Sequence, residues 1–303
     1  MVVKSKPLQK DAAICFSGLV KHFELCYPYI KKRLLDNFSS YDVFCCVEDD
    51  GDADKIKLLN PTITEKIKSS DVDKIIAPEL KRLKKQNYKR FFFPESRSFN
   101  LRNVYQQIYK IDRAFKLLEN YMKEKNISYK YFIRIRFDFL PLNSIDPSKL
   151  KMAKEEIIVP NMNKGPEKDQ LNDMFSVTNN FETFRTYCTL YDHFSKTVLE
   201  KLPFNPSRRQ KYYFHLEKIY MNVLSFLFKR IKKKKFFRNL FGFCLLLPKK
   251  IYKKFKNETR ASLERVLFYS LKADERIKIR EETINFMILR DPMTGLLFFG
   301  SLG

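Results

Sequence analysis

The chain has 303 residues, of which 44% are hydrophobic, and its 59 Lys and Arg against 35 Asp and Glu give a net charge of +24 at pH 7. This length and apolar content exclude a chain that is disordered throughout, and they allow one large core with an appendage or two domains. The positive charge predicts an anionic partner such as nucleic acid, a phospholipid surface or a phosphorylated substrate.

The chain carries no visible targeting or metal-binding signature. Its first residues, MVVKSKPLQKD, lack an apolar signal segment, and no run of 18 apolar residues suggests a membrane span. We therefore expect a cytoplasmic protein. The six cysteines show no CxxC spacing and the three histidines no HExxH motif. Buried free thiols are expected, and a zinc site is not.

In chain order, the first predicted unit is a strand, a turn of small residues and a helix. Residues 12–16 (AAICF) form an apolar run, Ser17 and Gly18 form the turn, and residues 22–35 have the pattern of a helix that breaks near its proline. Such a turn lets backbone N–H groups and a helix N-terminus approach a phosphate, and Lys21 adds a positive charge nearby.

A second strand is predicted over residues 41–47, followed by an acidic loop over 48–54. The order strand, helix, strand predicts a parallel sheet. The loop contains the sequence pattern DxD. The default interpretation is a solvated turn, and the alternative is a site for a nucleotide base. Residues 55–98 show no clear pattern, and we assign them to connecting structure.

The next elements are a long helix and a strand. Over residues 100–125 apolar side chains recur at three and four residues, which predicts an amphipathic helix with its Gln106 and Gln107 on the surface. Residues 129–142 (YKYFIRIRFDFLPL) alternate like a strand that Pro141 closes.

Arg134, Arg136 and Asp138 share one predicted face of that strand. Two guanidiniums and a carboxylate among so many apolar neighbours cannot be buried unpaired without a large cost. They therefore pair with one another or face a ligand. At the carboxyl end of a central strand, Asp138 could hold a divalent metal or a hydroxyl while the arginines face phosphate.

Two further strands are predicted over residues 157–159 and 174–177, with Asp173 just before the second. This carboxylate could accept a proton from an incoming hydroxyl, or it could cap a turn. The remaining chain is predicted to be mainly helical, with Glu217 early in one helix as a further site candidate. A strand is expected over residues 283–289.

Residues 229–256 form a basic, aromatic segment. They carry twelve Lys or Arg and no acidic residue around the run FFRNLFGFCLLLP. This pattern predicts binding at an anionic membrane surface, to which each basic residue contributes about 1 kcal/mol. A core helix with a basic rim and a single-strand nucleic-acid binder are the alternatives. Consecutive leucines and the lack of a known RNA- or DNA-binding motif make nucleic acid the less favoured partner.

The segments AAICFSGLVKHF, YDVFCCV, YFIRIRFDFLP and LNDMF occur in this order, with the Gln-containing helix before the third. Together they resemble a family of glycosyltransferase-like proteins from bacterial surface-polysaccharide clusters and large algal viruses. The resemblance covers roughly residues 12–220. It implies an α/β fold of the GT-A-like kind, with a mixed, mainly parallel sheet flanked by helices. It also implies transfer of a sugar from a nucleotide-diphosphate donor to a glycan, glycolipid or glycoprotein acceptor.

The resemblance also implies a set of site residues, carried over by position: Ser17, Gly18, Lys21, Arg134 and Arg136 for the donor, Asp138 for Mn²⁺ or Mg²⁺, and Asp173 for the acceptor. Leu19 and Lys21 stand where the family pattern has Gln and Arg, and the RxRxD strand has one acid where a DxD motif has two. Without a metal, the arginines would neutralise the leaving diphosphate.

We expect a flexible tail at residues 1–11, a GT-A-like catalytic domain at 12–205, and a basic helical region at 206–303 that could pack on the same core. The alternative function is a nucleic-acid- or membrane-binding protein on a catalytically inactive α/β scaffold.

Overall fold

The computed structural model describes residues 7–91, 101–160 and 173–196, and, within 271–300, residues 271–272, 274, 276–282, 284, 286–289 and 297–300. The strands are β1 (Leu8–Gly18), β2 (Tyr41–Glu48), β3 (Ile63–Ile67), β4 (Ile127–Ile135), β5 (Phe139–Pro141), β6 (Glu156–Pro160), β7 (Phe175–Thr178), β8 (Lys278–Glu282), β9 (Phe286–Leu289) and β10 (Leu297–Gly300). The α-helices are α1 (Phe23–Arg33), α2 (Ser69–Phe91), α3 (Leu101–Lys125), α4 (Phe181–Cys188) and α5 (Leu190–Lys196).

Seven strands form one large sheet in the order β3-β2-β1-β4-β7-β6-β8. Neighbouring strands are parallel except where β7 pairs with β4 and with β6. The predicted class, an α/β fold with a mixed, mainly parallel sheet flanked by helices, is confirmed. From β1 the chain moves outward to β2 and β3 and then returns to place β4 on the other side of β1. Open α/β sheets bind ligands outside the carboxyl ends of the strands at such a switch point.

The sheet is covered on both faces. Helices α2 to α5 cover one face, where Cys15 of β1 and Phe132 of β4 lie in the core. Helix α1 covers the other face, where Phe16 and Ile133 are buried. Because β1 is enclosed on both sides, its run AAICF is apolar without alternation, as is typical of central parallel strands.

The assignment of residues 55–98 to connecting structure was wrong. This range contains the edge strand β3 and all of α2, which packs on the α3 side of the sheet through Val72 and Ile76. β3 has the polar sequence ITEKI because one of its edges has no strand partner in the described sheet, so no apolar run marks it. Helix α1 likewise continues through Pro28, with buried Phe23 and Ile30 on either side of it.

The predicted strand over residues 129–142 is two strands in two different sheets. β4 ends at Ile135, residues 136–138 form a turn, and β5 pairs with β9 in a small sheet of the order β10-β9-β5. The turn interrupts the alternation of side chains along the chain. Arg136 and Asp138 therefore do not continue the face of β4 that carries Arg134.

The described part of the C-terminal region joins the large sheet. β8 pairs with β6 in parallel, and Arg280 forms an ion pair of 3.0 Å with Glu156. The strand expected over residues 283–289 is confirmed as β9. Glu217 and the basic segment 229–256 lie outside the described residues. Every helix in the described ranges is too short or too polar to cross a lipid bilayer.

The expectation of buried free thiols is confirmed for the five cysteines within the described residues: Cys15, Cys26, Cys45, Cys46 and Cys188. Burial raises the pKa of each of these thiols, to about 12 for Cys26. They are therefore protonated, inert parts of the core at neutral pH.

Candidate functional site

A cleft of about 530 Å³ lies at the carboxyl ends of β1, β2 and β4, at the switch point of the sheet. This volume falls within the range of about 300–1,000 Å³ that is usual for small-molecule sites. The cleft is lined from the turn after β1, the end of β2, the start of α2, one side of α3 and the turn after β4. Its lining residues are Ser17, Gly18, Leu19, Lys21, His22, Glu48, Ser69, Asn103, Gln106, Gln107, Lys110, Arg136, Phe137 and Asp138.

The turn after β1 brings unused polar atoms to the cleft. Ser17 is 4% exposed, and neither its Oγ nor the buried Nε2 of His22 has a hydrogen-bond partner among the described residues. Gly18 has φ +118°, a conformation that residues with a Cβ rarely adopt. His22 is the N-cap of α1, so the positive end of that helix dipole lies at the same turn. Ser17, Gly18 and Lys21, predicted at the nucleotide, all line the cleft.

One side of α3 is polar and faces the cleft. It carries Asn103, Gln106, Gln107 and Lys110, which are three and four residues apart and so share a side of the helix. The expectation that Gln106 and Gln107 lie on the surface was wrong. Their spacing with Asn103 and Lys110 was the sequence signal, because it forms a polar stripe along an otherwise apolar helix.

Lys110 and Glu48 form a buried ion pair in the cleft wall. Lys110 Nζ donates to Glu48 Oε2, and the side chains are 4% and 13% exposed. Ser69 Oγ donates to the other carboxylate oxygen. Burial opposes the charge of Glu48, but the hydrogen bonds from Lys110 and Ser69 outweigh it and lower the pKa of this carboxyl. Glu48 is therefore ionised at neutral pH. Neither residue was predicted as part of a site.

Arg136 links the cleft to two carboxylates. Its Nε and Nη2 donate to the two oxygens of Asp138 at 2.9 and 2.7 Å, and its Nη1 lies 3.3 Å from Asp173 Oδ2. Arg136 and Asp138 both line the cleft. The sequence left two interpretations open, pairing of the charged residues with one another or exposure to a ligand. Both apply to Arg136 and Asp138, since they pair with each other and also line the cleft. A guanidinium has five N–H groups, so two remain for a ligand.

Asp173 is buried behind the cleft wall. Gln107 Nε2 donates to its Oδ2 at 2.5 Å, and both Gln107 and Arg136 line the cleft. Burial alone would raise the pKa of Asp173, but the charges of Arg136 and Arg134 and the hydrogen bond from Gln107 lower it. Asp173 therefore remains a carboxylate at neutral pH and holds two residues of the cleft wall.

Arg134 does not line the cleft, contrary to its predicted place at the diphosphate. It is 1% exposed, and none of its three guanidinium nitrogens has a hydrogen-bond partner among the described residues. It pairs across the sheet with Ser176 of β7 and with Cys15 of β1, on the face that α4 covers. The physical reason is that β4 ends at Ile135, so only the turn beyond it reaches the cleft.

The described residues do not supply a ligand set for the predicted Mn²⁺ or Mg²⁺. No group of three or more His, Cys, Asp or Glu side chains comes together in the ranges that the structure covers. Both carboxylates of the cleft are already paired, Asp138 with Arg136 and Glu48 with Lys110. These cations compensate the negative charge that would attract a divalent ion.

The acidic loop after β2 agrees with the default interpretation of a solvated turn. Asp52 and Asp54 pair with Lys55 and Lys66 at 2.7 Å, and neither aspartate lines the cleft. The DxD spellings in this loop are thus not part of the site.

The family described as "Domain of unknown function (DUF7796)" matches residues 8–190. This chain belongs to that family. The DUF7796 match begins with β1 and includes every residue that lines the cleft. No functionally curated protein matches the chain in sequence.

Solved structures similar to this DUF7796 chain include glycosyltransferases. Mouse xyloside xylosyltransferase 1 in its apo form is 8% identical, with a TM-score of 0.40 over 91% of this chain and 85% of that one. The galactosyltransferase LgtC in complex with donor and acceptor sugar analogs is 8% identical, with a TM-score of 0.33 over 62% of this chain and 66% of LgtC. An active-site mutant of LgtC is 10% identical, with a TM-score of 0.34 over 63% and 66% of the two chains. At these scores the likeness is one of general architecture.

Proposed function

We propose that this protein is a glycosyltransferase that binds a nucleotide-diphosphate sugar in the cleft. One observation carries the proposal. At the switch point of the sheet, the unpartnered polar atoms of Ser17 and His22 meet the N-terminus of α1 and the charge of Lys21. Buried polar atoms without partners are costly, and a hydroxyl and an imidazole beside the positive end of a helix dipole are suited to phosphate oxygens.

The remaining lining residues suit the other parts of such a donor. Asn103, Gln106 and Gln107 carry amides, which both donate and accept hydrogen bonds and so match the hydroxyls of a ribose or a sugar. Their position on α3, beside the end of β2, sets them apart from the phosphate-binding turn after β1. We place the diphosphate at the turns after β1 and β4, and the hydroxyl-bearing groups along α3.

In the proposed reaction, the bond between the sugar and the diphosphate breaks as the acceptor hydroxyl attacks the sugar. Negative charge develops on the leaving diphosphate, and Lys21, Lys110 and the two free N–H groups of Arg136 would stabilise it. These cations are held in place before the reaction, Arg136 by Asp138 and Asp173 and Lys110 by Glu48.

Asp173 remains our candidate for the acceptor side. Its lowered pKa keeps it ionised, as a general base must be, but also reduces its affinity for the acceptor proton. Its contacts with Gln107 and Arg136 support a second role, that of holding both residues toward the donor. Asp173→Asn separates the two roles, because an asparagine can still accept hydrogen bonds from Gln107 and Arg136 but cannot take a proton from the acceptor.

The acceptor is proposed to be a glycan, glycolipid or glycoprotein at an anionic membrane surface, which residues 229–256 would contact. In the same proposal, residues 12–205 form the catalytic domain and residues 206–303 a C-terminal region packed on the same core, since β8 pairs with β6 and β9 with β5. The alternative is a nucleic-acid- or membrane-binding protein on an inactive scaffold. It is supported by the net charge of +24, which favours binding to polyanions.

A thermal-shift screen with UDP-, GDP- and dTDP-sugars tests the proposal. A ligand at 100 times its Kd stabilises a protein by about 2.7 kcal/mol, which corresponds to a shift of several degrees for a chain of this size. At least one nucleotide sugar should produce this shift. Steep, salt-dependent binding to single-stranded nucleic acid without any nucleotide-sugar shift would support the alternative instead.

Two buried serines provide a matched pair of variants. Ser17 and Ser176 are 4% and 0% exposed, and both have an unpartnered Oγ, but only Ser17 lines the cleft. Ser17→Ala should weaken nucleotide binding about tenfold or more, the usual effect of losing one hydrogen bond to a charged group. Ser176→Ala should leave binding unchanged. Equal affinities for the two variants would remove the turn after β1 from the site.

A further inference from the structure

The charge distribution in the cleft bears on whether a donor needs a metal ion, and this question rests on the proposed function. A nucleoside diphosphate brings two or more negative charges that the site must compensate. A divalent cation does so when free carboxylates hold it beside the phosphates. Fixed cationic side chains can do so directly.

Asp138, the residue that the sequence predicted as metal ligand, is occupied by a cation of the protein. Each of its oxygens accepts one hydrogen bond from Arg136, at 2.9 and 2.7 Å. The residues are two apart in the turn after β4, so this bidentate pair is local and does not depend on a distant element. A metal ion at Asp138 would lie within a few ångströms of the guanidinium and be repelled by it.

Glu48, the other carboxylate of the cleft, is occupied in the same way. Lys110 donates to one of its oxygens and Ser69 to the other, and the Lys110 side chain is only 4% exposed. A buried ammonium that lost this partner would be left uncompensated, which is strongly unfavourable. Glu48 is therefore held by Lys110 in preference to a metal ion.

We infer that this site binds the diphosphate of its donor without a divalent cation, because Lys110 and Arg136 occupy the carboxylates that would hold one. Lys21 and the remaining N–H groups of Lys110 and Arg136 donate to the phosphates instead. Lys110 and Arg136 keep their carboxylate partners in the bound state. Asp138 then serves to orient Arg136, and its own negative charge opposes the ligand.

Because of this role, we expect Asp138→Asn to increase the affinity for the diphosphate. An asparagine still accepts one hydrogen bond from Arg136 but removes one negative charge from the cleft wall. The affinity for UDP or another nucleoside diphosphate should then rise by about three- to tenfold, as expected for one charge at a partly solvated distance. If Asp138 were a metal ligand, the same substitution would weaken binding in the presence of Mn²⁺.

The experiment is calorimetric titration of UDP, GDP and dTDP into the wild type, Asp138→Asn and Asp36→Asn, each with EDTA and with MnCl₂. Asp36 pairs with Lys31 away from the cleft, so Asp36→Asn is the control for loss of a paired carboxylate. Urea unfolding of each variant checks that it is folded. The expected result is a wild-type Kd that changes less than about twofold between EDTA and MnCl₂, with tighter binding only in Asp138→Asn.

Two other results would overturn the inference in distinguishable ways. Wild-type binding that requires MnCl₂ and is lost in folded Asp138→Asn would show a metal site at Asp138 and leave the proposed function standing. No binding of any of the three nucleotides, with or without MnCl₂, would reject the proposed function and this inference with it.

Discussion

The buried pair of Lys110 and Glu48 can be tested without any ligand. Lys110→Met keeps the length and most of the volume of the side chain but removes its charge, and so leaves Glu48 as an unpaired carboxylate. Glu48→Gln removes the opposite charge and keeps a group that can still accept from Lys110 and Ser69. The double variant carries neither charge. These three variants and the wild type form a double-mutant cycle.

The structure sets the expected magnitudes. Removing one partner of a buried ion pair costs about 3–5 kcal/mol. Glu48 is 13% exposed and keeps its hydrogen bond from Ser69, so Lys110→Met should lie near the lower limit, at about 3 kcal/mol. Glu48→Gln should also cost about 3 kcal/mol, because it leaves the buried ammonium of Lys110 uncompensated while the amide retains part of the hydrogen bonding. The double variant should cost less than Lys110→Met alone, since it leaves no uncompensated charge.

The assay is urea unfolding at pH 7, followed by intrinsic tyrosine fluorescence because the chain has no tryptophan. The slope of the transition should stay constant across the four proteins, so that differences in midpoint report stability. If Lys110→Met costs under about 1 kcal/mol and the two substitutions are additive, the buried and coupled pair described here does not exist.

Two further predictions concern the walls of the cleft. Because the pKa values of Asp173 and Glu48 are lowered in the folded chain, their contribution to stability is present above about pH 4 and is lost as the pH falls through the folded values. Asp173→Asn should therefore be less stable than the wild type at pH 7 but lose less stability between pH 5 and pH 2, as measured by urea midpoints. If stability falls with pH equally in the variant and the wild type, the lowered pKa of Asp173 is contradicted. Phe137 lies between the two cleft residues Arg136 and Asp138, and its ring packs at 5.1 Å from Phe16 and 5.2 Å from Phe23. Phe137→Ala should cost about 3–5 kcal/mol, and Phe137→Leu, which keeps an apolar side chain and leaves a smaller cavity, clearly less. Equal effects of the two substitutions would mean that packing of the Phe137 side chain does not hold this turn.

Much of the fold could be predicted from local pattern. β1, β2 and β7 were predicted from short apolar runs, and α3 from apolar side chains at a spacing of three and four, because each pattern follows directly from the faces that an element buries. β3 and α2 were missed, since an edge strand and a helix whose residues 69–82 are mostly exposed or half-buried leave no clear apolar pattern. The prediction of one strand over residues 129–142 was wrong at the turn over 136–138. Apolar and polar residues keep alternating in the sequence there, although the chain passes from one sheet to another.

The lining of the cleft could be predicted in part for a related reason. Five residues predicted from the sequence line it, because the carboxyl ends of parallel strands meet at one edge of a sheet: Ser17, Gly18, Lys21, Arg136 and Asp138. Glu48, Ser69 and Lys110 come from three separate elements, and nothing in the local sequence pairs them.

The sequence by itself determined which segments are buried and that a small-residue turn and an Arg-rich strand end would lie near each other. Only the tertiary structure decided that Arg136 and Asp138 reach the cleft while Arg134 is sealed beneath α4, and that each cleft carboxylate already holds a cation. The physical reason is that burial is encoded in the periodicity of a segment, whereas the pairing of charges depends on the order of the strands and the side of α3 that faces them.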